Sequence, residues 1–296
     1  MLKSLSSIWL LFWRIITSPF RFAYWLLLKV FNWIKNLGNN IRGFFAEEPE
    51  DEPLPDTFAK TLQNPSGLLE HLDALRKHLL RGVLVLVVTT AFSFTYVRQI
   101  MEWLANPLEQ GLQELRAIEV TENIGTVMRV SLLSGFALAF PYIALELWLF
   151  IGPGVSRRSR LLGLFAIPVA TIFFLTGMAF AYFNLLPVAL DFLFNFMGLT
   201  TEARPASYFN FVTSIMFWIG TAFEFPLVIF ILARLGLVKG RTLAKQWRLA
   251  IVIIAVIAAA ITPTIDPVNM ALVMGPMIVL YFLGVGLAFV ARPGES

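Results

Sequence analysis

The sequence predicts an all-α integral membrane protein: six transmembrane helices in a bundle, preceded by an amphipathic interfacial helix segment. Three observations predict it. The 296 residues are 58% hydrophobic and only 14% charged, whereas soluble domains run near a quarter charged, so a water-soluble fold would lack polar surface to cover its core. Apolar runs of roughly the 20 residues that span a bilayer recur from residue 79 onward. Cations collect in alternate connections between those runs, as the positive-inside bias requires.

The chain divides into a basic aromatic extension (1–46), an acidic Pro-containing linker (47–65) and a membrane domain (66–292). The first 44 residues hold six cations and no acid. On a helical wheel Lys3, Arg21, Lys29 and Lys35 fall within about 60° of Arg14, beside a face of Trp9, Phe12, Trp13, Phe20 and Trp25. Ser18-Pro19 reads as an N-cap followed by Pro, so two helices with a bend are expected. A narrow basic stripe beside a wide aromatic face suits a helix lying on anionic lipids. A further span is the alternative, at the cost of burying Arg14 and Arg21. The linker carries Glu47, Glu48, Glu50, Asp51, Glu52 and Asp56 among three prolines and reads as solvated.

Spans are expected at 79–100, 127–151, 161–183, 209–234, 249–262 and 269–290. The fifth is short: Leu249 to Ile261 covers about 20 Å, against a hydrocarbon core of about 30 Å. The sixth is interrupted at Gly275-Pro276. Arg76, Lys77 and Arg81 precede the first span, Arg157, Arg158 and Arg160 follow the second, and Arg234 to Arg248 holds five cations after the fourth. The other side is richer in Glu and Asp. Both termini are therefore expected in the cytoplasm, in a multi-pass protein of the cytoplasmic membrane.

Composition also excludes chemistry. There is no Cys, hence no disulfide, thiol nucleophile or Cys-based metal site. The two His, His71 and His78, lack a companion carboxylate cluster, and no phosphate-binding glycine loop or GxSxG is present. No enzyme activity, cofactor, metal or nucleic-acid partner is expected.

Five segments, in order, resemble the TatC family, the core subunit of the twin-arginine protein translocase. "HLDALRKHLL" (71–80) resembles HLxELRxRL, and "FPYIALELWLFIGPGV" (140–155) resembles FPxxxYQxWxFxxPGL. "FLTGMAFAYFNLLPVALDF" (174–192), "IGTAFEFP" (219–226) and "AIVIIAVIAAAITPTIDP" (250–267) are similar to the family's third, fourth and fifth helices. The resemblance covers residues 66–291 and implies a cup-shaped six-helix receptor for signal peptides. It further implies export of folded proteins by the proton-motive force, with TatA-type and TatB-type single-span partners, in an oligomer.

Glu224 is the sharpest candidate: a carboxylate in the apolar run of the fourth span must face protein or a wet cavity. It matches the family's intramembrane Glu, where partner helices and the signal peptide engage. Glu146 stands where the family usually has Gln; either it shares one cavity with Glu224, at least one of the two then holding a proton, or the two face different cavities. Trp148 and Phe150 match aromatic positions and are expected either to wall an apolar receiving surface or to anchor the interface. The twin-arginine site departs from the family: Ala74 and Ser159 stand where it has acids. Glu70 and Asp73 are the candidate replacements, or else an ordinary acidic helix start. Arg76 matches a family position but also obeys the positive-inside bias. On the outer side Pro107 matches a loop proline, and Asp266 sits one residue beyond the family's Asp. Gly177, Tyr182 and Pro187 match as packing and helix-end residues. Two other functions stay open: a paralogue that binds no twin-arginine signal and serves as a membrane scaffold, and a proton-coupled small-solute transporter using Glu146 and Glu224. No internal repeat supports the transporter.

Overall fold

The computed structural model describes residues 65–108, 110–119, 121–152, 157–195, 203–262 and 266–291. The expected interfacial extension, and the linker up to residue 64, lie outside the described residues. The described residues form helices and no strands.

The first helix, α1 (Pro65–Thr95), starts fourteen residues before the expected span. Pro65 sits in its first turn, where no backbone N–H is needed, and nothing breaks the pattern after it. The polar "HLDALRKH" stretch is thus part of the same continuous helix as the span. A turn at Tyr96 leads to α2 (Val97–Leu104). Two tyrosines tie α2 down from other helices: the Tyr182 hydroxyl donates to the Trp103 carbonyl at 2.6 Å and Tyr208 to that of Leu104 at 2.8 Å. The Trp103 and Tyr182 rings stack at 4.1 Å.

The second span, α3 (Glu122–Ile151), packs along α1. Their contact is close because Gly135 has no side chain: a Cβ there would lie 2.6 Å from Thr90 Cα. The Thr89 hydroxyl donates across it to the Gly135 carbonyl at 2.8 Å. Small residues and hydroxyls join helices in this way where lipid is the solvent.

The third span continues past its expected end at residue 183. It runs as α4 (Arg157–Phe180), a π turn (Ala181–Leu185) and α5 (Leu186–Phe194). Pro187 was expected at a helix end and instead lies inside the span. It offers no N–H and crowds the preceding turn, and the wider π turn just before it accommodates both defects. Gly177 lets α4 meet the next span: a Cβ there would come 2.8 Å from Gly220 Cα. Around that contact Phe174 is fully buried and stacks on Phe140 at 4.3 Å.

The fourth span is broken into α6 (Pro205–Phe223) and α7 (Phe225–Arg234). Pro226 cannot donate to the Ala222 carbonyl, so the ladder lapses at Glu224. A short α8 (Gly240–Lys245) leads to α9 (Trp247–Ile261), whose 15 residues reach only about 22 Å. The last helix, α10 (Pro267–Ala291), is continuous through Gly275-Pro276, where an interruption was expected. Packed neighbours in a bundle tolerate a helical Pro. Among the described residues, five helical stretches are long and apolar enough to cross a membrane, and α9 is a shorter apolar sixth. Large apolar side chains such as Val83, Val87, Phe165, Ile172 and Val279 stay exposed on the bundle, as a lipid-facing surface requires.

Candidate functional site

Glu224 occupies the junction between α6 and α7, capping the end of one and the start of the other. Its N–H bonds the Thr221 carbonyl at 3.1 Å, a tightened turn. Beside the break, Glu224 lines a cavity of about 600 Å³. Thr221 and Val228 form one wall, Ile253 and Ile257 of the short helix a second, and Met277 and Tyr281 of α10 a third. The Oε1 atom is buried and has no hydrogen-bond partner. An unmet carboxyl oxygen in so apolar a space costs free energy until a partner group reaches it.

Glu146 is also buried, at 2% exposure, but every direction around it is met. His78 Nδ1 lies 2.5 Å from its Oε2, and Arg81 approaches the same oxygen at 3.6 Å. The Tyr142 hydroxyl, one turn earlier on α3, donates to Oε1. The expectation that Glu146 and Glu224 line one cavity therefore fails. Glu146 faces α1 and is consumed by it, whereas the cavity at Glu224 lies among α6 to α10. The signal for the first pairing was present in the motifs. His78 stands at the second Arg of HLxELRxRL and Glu146 at the Gln of FPxxxYQxW, so two departures from one pattern meet in space.

The aromatic residues separate as well. Trp148 is 7% exposed and packs over Gly163 of α4, where a Cβ would fall within 1.8 Å of its ring. Phe150 points the other way and lies on His71 of α1, with ring centres 4.6 Å apart. They do not form one wall. Asp73 is ion-paired to Lys77 at 2.6 Å on the exposed side of α1, and Arg76 is exposed beside it. The side chains of Glu70 and Ser159 lie outside the described residues.

Pro107 is partly buried in the turn after α2. Asp266 caps α10, accepting the Asn269 N–H at 2.7 Å and its side-chain amide at 2.9 Å. A linkage not foreseen from sequence joins the starts of α3 and α6. Arg204 donates to Glu122 at 3.0 Å and reaches Glu119 at 3.6 Å. The backbone N–H groups of Ile118 and Glu119 hold the second Glu122 oxygen. The hydrogen bond to Glu122 raises the Arg204 pKa further above its already high value, so this tie stays charged. Among the described residues no cluster of three or more His, Asp or Glu could hold a metal ion.

A bundle of five long helices and one short one, with a carboxylate at a break in the fourth span, can be set beside known proteins. Residues 70–276 match the model of the Sec-independent protein translocase protein TatC. The chain belongs to the TatC family. It is 36% identical over 233 residues to the TatC of Deinococcus radiodurans, covering 76% of this chain and 86% of that protein. The TatC of Carboxydothermus hydrogenoformans is 31% identical, over 78% of this chain and 96% of its own length. A crystal structure of a twin-arginine translocase receptor, TatC, superposes with a TM-score of 0.66 at 29% identity, covering 75% of this chain and 99% of that one. The protein is thus a multi-pass membrane component of the translocase type.

Proposed function

We propose that this TatC-family protein is the receptor core of a twin-arginine translocase in the cytoplasmic membrane, with both termini in the cytoplasm. It takes up signal peptides and supports export of folded proteins driven by the proton-motive force. Its neighbours are TatA-type and TatB-type single-span proteins in an oligomeric complex, and the basic extension holds anionic lipid. The observation that carries this reading is Glu224, a half-buried acid that lines a 600 Å³ apolar cavity at the break in the fourth span. A single-span helix with one polar side chain fits it: the apolar walls match its body, and a hydroxyl or amide would hydrogen-bond the half-buried Glu224 side chain.

One observation favours a second reading, a family member that scaffolds the complex without reading twin arginines. Ala74 and Ser159 are not acids, and Asp73, the nearest described acid, is already paired to Lys77. One experiment separates the two. A photo-reactive signal peptide is crosslinked to the purified full chain, with twin arginine or twin lysine in its basic region. A receptor crosslinks the arginine form more strongly. Equal crosslinking ends the receptor reading and leaves the scaffold.

A further inference from the structure

Arg129 stands seven residues into α3, about 10 Å below the outer end of that helix. Its guanidinium donates to the side-chain carbonyl of Asn210 on α6, a neutral partner. Among the described residues no carboxylate pairs with it, because the two acids nearby, Glu122 and Glu119, are engaged by Arg204. Arg129 and Asn210 are the shared edge of two spaces. Outward lies a polar cleft of about 380 Å³ that includes Ser207 and Arg204. Inward lies an apolar groove of about 390 Å³ between α1, α3 and α6, walled by residues such as Leu132, Phe136 and Trp218. Leu132 is 51% and Trp218 44% exposed, so this groove opens sideways to whatever surrounds the bundle.

A cation with only a neutral partner, placed where polar cleft gives way to apolar groove, matches a molecule with an anion at one end and hydrocarbon below it. We propose that Arg129 and Asn210 form a binding site for a glycerophospholipid of the outer leaflet. The phosphodiester sits on the guanidinium and amide, and an acyl chain lies along Leu132, Phe136 and Trp218. Charge complementarity selects lipid over a peptide helix. A spanning helix satisfies its own backbone groups and brings an acidic side chain to this depth only at a cost. A phospholipid carries its phosphate at this level already, and each cation near the headgroups gains about 1 kcal/mol from anionic lipid, roughly fivefold in affinity. The site is distinct from the Glu224 cavity, and its occupancy does not depend on whether signal peptides bind there.

The absence of cysteine makes a local probe available. Ser214 lines the groove, so Ser214→Cys in the full chain places one thiol there. Its reaction rate with a water-soluble maleimide is followed in detergent as phosphatidylglycerol, or a galactosyl diacylglycerol with the same chains, is added. The phospholipid should slow labelling at concentrations roughly fivefold lower than the galactolipid, and glycerol phosphate, which lacks chains, should not slow it. Arg129→Gln should erase the preference and Arg129→Lys should retain most of it. Arg98→Gln, which removes an outer cation paired with Glu102, should leave it intact. Equal protection by both lipids, or a preference that survives Arg129→Gln, overturns the proposal. So does protection by glycerol phosphate alone, or by a signal peptide with no lipid effect.

Discussion

Glu146 and Glu224 are two carboxylates inside the same bundle, and they are solved in opposite ways. Glu146 is enclosed by a histidine, an arginine and a tyrosine, and its carboxylate joins α1 to α3. Glu224 sits where the helix ladder fails before Pro226, and one of its oxygens meets nothing. A buried acid with all of its partners is architecture, because removing it strands the groups that were arranged around it. A half-buried acid at the edge of a cavity, with one oxygen left without a partner, is a cost the fold carries for some other purpose. The pair separates structural from functional acidity within a single protein.

The largest expected effect lies on the structural side. Glu146→Ala leaves His78 and Arg81 without their shared anion at a helix interface, and should destabilise the protein by about 3–5 kcal/mol. Detergent unfolding titrations of the purified chain would measure it. A loss below that of an ordinary surface substitution would mean that the carboxylate is not a tie between α1 and α3, and the contrast with Glu224 would collapse.

How much of this was legible in the sequence depends on how local the cause was. Span number, the short α9 and the carboxyl within the fourth span follow from runs of residues and one charge, and these were readable. The Pro187 turn was not. Whether a Pro ends a helix or rides behind a π turn depends on packing beyond it, here Leu186 and Ala189 buried in the core. Continuity through Pro276 failed to be legible for the same reason. The shared cavity of Glu146 and Glu224 was a wrong inference from depth. Two residues on neighbouring spans face different helices, and rotation about each axis decides which. The Arg204–Glu122 tie joins residues 82 apart and carries no local signal.

A middle-sized effect tests whether the two departures from the family pattern compensate each other. His78→Arg and Glu146→Gln each disturb a contact 2.5 Å long. Together they restore the residue types of the resembled motifs, Arg facing Gln. The double variant should therefore be more stable than the sum of the single losses, with a coupling of about 1–3 kcal/mol in a double-mutant cycle. Additive losses would show that His78 and Glu146 are neighbours without being partners, and the enclosure of Glu146 would then rest on Tyr142 and Arg81.

The smallest expected stability change belongs to Glu224→Gln, and that is where the contrast is sharpest. The amide keeps the shape of the carboxyl and removes a group whose Oε1 had no partner to lose. Unfolding free energy should move by no more than about 0.5 kcal/mol, the range of substitutions away from any structural feature. Export of a folded reporter carrying a twin-arginine signal should nonetheless fall, because the group offered to an incoming helix has changed from a carboxyl to a weaker acceptor. Loss of stability comparable to that of Glu146→Ala would make Glu224 a second structural tie. Unchanged stability with unchanged export would leave its unmet oxygen without a function, and only the combination of a steady fold and failing export keeps the two carboxylates in separate roles.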